Sequence, residues 1–273
     1  MPAFLCASCG TQYPNSEEPP PFCVLCRDDR RAVNPPRRQS WTTQAALRQT
    51  HFTVYRRLSP GLMGIGTMPA FALGQRALLV RTPNGNVLWD CVSFVDDATT
   101  TIVTALGGVA AIAVSHPLFY GAMVEWSHAF GSPPVYLHAA DRKFVTRQDP
   151  VVTFWDDEAV EVVPGVTLLR CGGHFLGATM LHWAQGAGGL GAMLSGGSVQ
   201  ITPDGYVSFM RSYPNLIPLD SLSVQHIHDV LDPWPFDAIH GGWWDQIIQT
   251  DARRILASSV KRYQSAVTIP PLL

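Results

Sequence analysis

From residue 77 onward, short apolar runs broken by glycine and proline dominate the chain, and their period separates strands from helices. Residues 77–81 (ALLVR) and 87–90 (VLWD) flank Pro83-Asn84-Gly85-Asn86. Asn-Gly between two apolar runs predicts a hairpin, because both residues tolerate the left-handed backbone of a tight turn. Residues 160–163 and 166–170 around Pro164-Gly165 predict a second hairpin, and 109–114, 135–138, 180–183 and 192–195 continue the strand pattern. Elsewhere the spacing is helical. A short helix is predicted near 45–48, and a longer one over 96–106 with Asp96 or Asp97 as N-cap. In 120–130, Ala122, Met123, Trp126 and Phe130 share a face; in 222–231, Leu222, Ile227 and Val230 do; in 251–263, Ala252, Ile255, Leu256 and Ser259 do. Strand sets interleaved with helices predict an α/β sandwich with helices packed outside sheets.

Composition permits a large core. The chain has 273 residues, 47% hydrophobic and only 15% charged, with a net charge of −2. That balance carries no electrostatic footprint for nucleic acid or an anionic membrane, so neither is expected as a partner. The start, MPAFLCAS, has no basic segment leading into a long apolar one, and no apolar run is long enough to span a bilayer. A cytoplasmic protein is expected.

Four of the six cysteines fall into two C-x2-C knuckles, Cys6/Cys9 and Cys23/Cys26, separated by thirteen residues. Two thiolates at that spacing grip one ion from a tight turn, and two such turns complete a closed all-thiolate site. The stretch between them, TQYPNSEEPPPF, has almost no apolar content, so the ion would be the core of the module. Structural Zn2+ is expected, with iron as the rubredoxin-like alternative. The expected organisation is a zinc-binding module and charged linker over 1–38 and a large domain over 39–273.

Three histidines each close an apolar run beside glycine or proline: His116 in VAAIAVSHP, His174 in VTLLRCGGHF and His240 in FDAIHGGWW. Imidazoles at three strand-end corners predict one polar pocket on a rigid scaffold.

Taken in order, these segments resemble the metallo-β-lactamase-fold hydrolase superfamily. SHPLFYG at 115–121 sits where that family has its HxHxDH metal loop, CGGHFLGAT at 171–179 resembles its GGHTPGS loop, and LSGGS at 194–198 falls where a strand ends in Gly-Asp-Thr. AIHGG at 238–242 resembles its closing Gly-His motif, and the hairpin over 77–90 its first strands. The resemblance implies a metallo-β-lactamase-like αββα sandwich, to which the zinc knuckle is an addition. It implies that His116, His174 and His240 stand at family ligand positions. Leu118 and Gly121 replace two further histidines, Tyr120 replaces the loop Asp, and Gly197 replaces the bridging Asp. A two-metal centre is therefore not expected.

Three readings of the pocket stay open. One ion, Zn2+ or Fe, is held by the three histidines, with His182, Glu125, Asp204 or Ser198 as a fourth group. Alternatively the site is metal-free, and His116, His174 and His240 do acid–base work with Tyr120 as a proton or hydrogen-bond donor. In the third reading the protein binds a small molecule or serves as a scaffold without chemistry, docking through its zinc module. The segment VSFMRSYPNLIPL at 207–219 reads either as a cover for the pocket mouth, with Arg211 as partner for a substrate carboxylate, or as an ordinary packed loop. Tyr213 and Trp243 are further expected substrate-binding residues. A small organic substrate or ligand is expected; oligomeric state is left open.

Overall fold

The structure, a computed structural model, describes residues 1–31 and 39–267. Residues 32–38 of the expected linker lie outside the described residues.

At the N-terminus, β1 (Ala3–Cys6) pairs antiparallel with β2 (Gln12–Asn15) on one side and β3 (Trp41–Thr42) on the other. The second knuckle begins the turn α1 (Val24–Arg27), and α2 (Gln44–Leu47) starts where the Thr43 hydroxyl accepts from the Ala46 N–H. Leu5, Tyr13 and Leu25 join the same apolar core as Phe94, Met123 and Trp126 of the large domain. Gly10 permits this contact. Its φ is +82°, and a Cβ there would fall 2.1 Å from Ser93 Oγ, whose hydroxyl donates to Gly10 O.

The large domain has four layers. The first sheet contains β4 (Phe52–Ser59), β5 (Leu62–Met68), β6 (Ala77–Val80), β7 (Val87–Trp89), β8 (Ala111–Ala113), β9 (Val135–His138) and β10 (Val152–Trp155), side by side in that order. The second runs β11 (Ala159–Val163), β12 (Val166–Arg170), β13 (Thr179–Trp183), β14 (Ala192–Gly196) and then, after two two-stranded ribbons, β19 (Ala238–Gly241) and β20 (Ile247–Ile248). The ribbons are β15 (Gln200–Ile201) with β16 (Val207–Ser208), and β17 (Met210–Ser212) with β18 (Ile217–Pro218). Helices α3 (Asp97–Ala105) and α4 (Met123–Ala129) belong to the first half; α5 (Gly186–Gly189), α6 (Ser221–Leu231) and α7 (Ala252–Val267) to the second.

Strand periodicity builds the layers. On β6, Leu78 and Val80 enter the core between the sheets, while Ala77 and Leu79 enter the outer core. On β14, Ala192 and Leu194 face between the sheets and Met193 faces the layer of α6 and α7; β19 repeats this with Ala238 and Ile239. Burial on both faces explains why these strands read as unbroken apolar runs.

Several elements differ from the sequence expectation, and β10, the two ribbons and β20 are not among the predicted strands. The helix predicted from Tyr120 starts at Met123, because Gly121 has φ +47° and packs against the Cys91 carbonyl. Leu222, placed on the apolar face of its helix, is 83% exposed, and Val224, Ile227 and Leu231 carry the burial instead. The β4–β5 hairpin has no clear apolar pattern. Gly64 and Gly66 leave one face of β5 bare, and the Trp244 indole fills it: Cβ atoms there would lie 2.7 and 2.5 Å from its ring.

Candidate active site at one sheet edge

The two sheets end at a common edge. β8 and β14 run to this edge, β19 lies parallel to β14, and β12 is antiparallel to β13. The corners after β8, β12, β14 and β19 therefore meet, tied by Thr179 N–H to Ser115 O (2.9 Å) and Gly242 N–H to Gly196 O (3.0 Å). His116 follows β8 and His174 follows β12.

These two rings touch, with centroids 4.5 Å apart at 70°. His116 also stacks on Phe175 and packs on Phe119. Both rings are about 3% exposed, and both His116 nitrogens and His174 Nε2 lack a hydrogen-bond partner. Burial holds both imidazoles neutral. His116 falls well below the usual histidine range by desolvation and the neighbouring His174, and His174 is pushed down to about 3 by desolvation and Arg30. His116 Nε2 sits over Gly197, where a Cβ would come within 2.3 Å of it.

The pair borders a cavity of about 400 Å³ whose other walls include Leu73, Leu118, Phe119 and Trp243. Arg211 and Tyr213, both expected here, also line it. The Tyr213 hydroxyl donates to Gly197 O at 2.6 Å, and the Trp243 indole N–H donates to Leu73 O, so both polar handles are engaged.

His240 and Tyr120 do not line this cavity. His240 sits in register with Leu194 on β19, almost fully buried, with its Nδ1 unpartnered. Tyr120 faces the junction with the N-terminal module, beside Gln12 and Arg147. Of the suggested fourth groups, His182 bonds Pro235 O, Glu125 pairs with Arg147, and Asp204 pairs with Arg262 at the surface. Ser198 has a buried, unpartnered hydroxyl. Cys171 is fully buried, its thiol pushed up to about 12 by desolvation, and is inert.

Among the described residues, Cys6, Cys9, Cys23 and Cys26 are the one set of three or more His, Cys, Asp or Glu whose ligand atoms lie within 4.8 Å of one another. Their donors fit an ion. Cys6 and Cys26 sulfurs are 3.6 Å apart, as are Cys9 and Cys23, close to the edge of a tetrahedron with bonds of about 2.3 Å. The Gln39 amide donates to Cys6 Sγ and the Thr11 hydroxyl lies against Cys9 Sγ, the outer contacts such a centre needs. Hydrogen bonding from Cys26 draws the Cys23 thiol down to about 7. The histidines do not form such a set. Two imidazoles in edge contact, without a carboxylate in the cavity wall, do not fit the two-metal centre of the resembling family.

Several buried ionic groups escape a sequence reading. Arg76 is fully buried and donates to the carbonyls of Gly241, Trp244 and Gln246, pinning the corner after His240; burial lowers it to about 10. Burial raises Asp90 to about 7 and Asp141 to about 6. Arg76 and Asp90 are single charged residues in an apolar context, Asp141 is the first of three consecutive charged residues, and no motif marks any of them. Arg30 and Arg31 also reach the cavity, although DDRR at 28–31 reads as a solvated linker.

No family model matches the sequence. YmaE of Bacillus subtilis (strain 168), itself uncharacterized, is 37% identical over 270 residues, spanning 98% of this chain and 97% of that protein. The chain belongs to the YmaE family. Its fold is that of the metallo-β-lactamases. The structure of FIM-1 from Pseudomonas aeruginosa, in its mono-zinc form, matches 80% of this chain and 97% of its own with a TM-score of 0.56 at 14% identity. The metallo-β-lactamase DIM-1 matches 79% and 98% with a TM-score of 0.58 at 12% identity, and VMB-1 the same shares at 0.59 and 11%. No helix among the described residues is long and apolar enough to cross a membrane.

The environment of His240 carries a pH prediction. Burial and the Arg76 charge push its pKa down to about 4, below the unfolded value near 6.5. The unfolded chain then binds the proton more readily, so this contribution is complete above pH 6.5 and is lost as pH falls toward 4. It amounts to about 3 kcal/mol. Urea melts between pH 7 and 4 should show a shallower acid decline in His240→Gln than in the wild type; equal slopes would refute the assignment.

Proposed function

We propose that this YmaE-family protein binds a small organic molecule in the cavity at the sheet edge and acts on it by hydrolase-type acid–base chemistry, with His116 and His174 as the groups facing the ligand. The supporting observation is the pair of buried imidazoles with unpartnered nitrogens at a largely apolar cavity. Buried groups of this kind are normally satisfied, and an unsatisfied one costs about 1–3 kcal/mol, so a ligand that bonds them recovers that cost. A neutral imidazole held far below neutrality is a weak base until negative charge arrives beside it. Bound substrate charge raises its proton affinity, so the base becomes effective with substrate in place. His240 and Tyr120, off the cavity, take no direct part in this reading.

The four-cysteine site is read as structural zinc, because four thiolates leave no open coordination position. Six free cysteines accord with a reducing, cytoplasmic setting.

The test is hydrolysis of an ester, lactone and amide panel by the zinc-loaded full chain. Turnover should survive chelation mild enough to leave the cysteine-bound ion and should fall about 100-fold or more in His116→Gln and in His174→Gln. Turnover abolished by that chelation would replace this reading with a metal-dependent one. Ligand binding without turnover across the panel would favour the non-catalytic alternative.

A further inference from the structure

The cavity wall carries three arginines, Arg30, Arg31 and Arg211, and no carboxylate. They are not equivalent. Arg30 is forked onto Asp28, donates to His174 O at 2.9 Å, and lies over the Phe175 ring at 4.0 Å. Arg211 pairs with Asp29 at 2.6 Å. Both charges are compensated. Arg31 has no carboxylate partner among the described residues. One of its terminal nitrogens donates to Ser8 O at 3.1 Å, and its Nε–H is buried with no partner.

This cation belongs to the cysteine module. Ser8 lies inside the first knuckle, between Cys6 and Cys9, and Arg31 follows Cys26 by five residues. The strap between is held at the knuckle by Asp28 N–H donating to Leu25 O, by its own turn from Arg31 N–H to Asp28 O, and at its far end by the Ser212 hydroxyl of β17 donating to Arg30 O. The geometry thus places one uncompensated guanidinium, anchored on the metal knuckle, at an apolar cavity opposite two imidazoles.

We propose that the four-cysteine module is part of the ligand site: Arg31 binds the carboxylate of a small organic anion whose apolar body lies against Phe119 and Trp243. The inference rests on the reading of the cavity as a small-molecule site and adds the class of molecule and the module's role in holding it. A guanidinium fork pairs with a carboxylate through two parallel hydrogen bonds, and such charge-assisted bonds are strongest out of water. A cationic ligand would meet three arginines and no acid.

Calorimetric titration of the full, metal-loaded chain with 2-naphthoate and its neutral counterpart 2-naphthamide tests this. Wild type should bind the acid about tenfold or more tighter than the amide. Arg31→Gln should lose that preference while keeping its affinity for the amide, its metal and its melting temperature, and Arg31→Lys should keep part of the preference. Equal affinity for acid and amide in the wild type, or an undiminished preference in Arg31→Gln, overturns the anion site and leaves the small-molecule cavity standing. Failure of both probes to bind overturns the anion site and the cavity reading together.

Discussion

Replacing Cys9 and Cys23 together by serine is expected to strip one equivalent of metal from the chain and to unravel the N-terminal module. The polar stretch between the knuckles has no apolar core of its own, so an ion held by the four thiolates would supply the free energy that orders it. Structural zinc contributes about 10–16 kcal/mol in isolated zinc-finger peptides, far more than the few side chains of this module could replace. The effect would not stop at the module. Leu5, Tyr13 and Leu25 share a core with Phe94 and Trp126, so their release uncovers part of the large domain. Hydrogen exchange should show protection lost over residues 3–15 and 41–42 and retained in β12, β13 and β14. Unchanged metal content, or unchanged protection at the N-terminus, would count against a metal-built module.

The second large effect is expected at Gly197. Gly197→Asp restores the acid that the resembling family carries at this position, yet it should not restore a metal centre. The new Cβ would fall 2.3 Å from His116 Nε2, and that ring is hemmed in by Phe119, Phe175 and His174. His116 would have to leave its rotamer, at the 1–3 kcal/mol typical of an overpacked core, so about that much stability is lost. The ring would also leave the cavity wall, and affinity for the naphthyl probes should fall about tenfold or more. Gly197→Ala, which adds the same Cβ without charge, separates crowding from electrostatics and should show most of both losses. Metal analysis and thermal melts decide the matter. A second bound ion with stability intact would mean that His116 swings freely, contrary to its packing.

These contrasts show where a linear reading succeeds. Most core strands after residue 77 were readable because burial makes apolar runs, whereas β10, the two ribbons and β20 were not; the knuckles were readable because thiolate spacing carries its chemistry locally. His116 and His174 were readable as strand-end imidazoles, and their contact followed from the shared sheet edge. The β4–β5 hairpin was not, because Gly64 and Gly66 are filled by a tryptophan about 180 residues away. Arg31 escaped for a related reason. In sequence it is one of three arginines in the charged run 27–31, and its significance arises from its spatial setting: no carboxylate partner among the described residues, a buried Nε–H and the knuckle carbonyl that orients it. Asp90, Asp141 and Arg76 carry no local mark, because burial of a lone charge is a property of the assembled layers.

Trp244 has a mechanical consequence. It projects from the corner after β19 in one sheet into the bare face of β5 in the other, wedged where no side chain larger than hydrogen fits. A pin of that kind resists sliding of one sheet past the other, because any slip would drive the indole into the β5 backbone. The cavity at the sheet edge is therefore framed by two layers locked in one relative position, with the arginines of the appended module forming part of its wall.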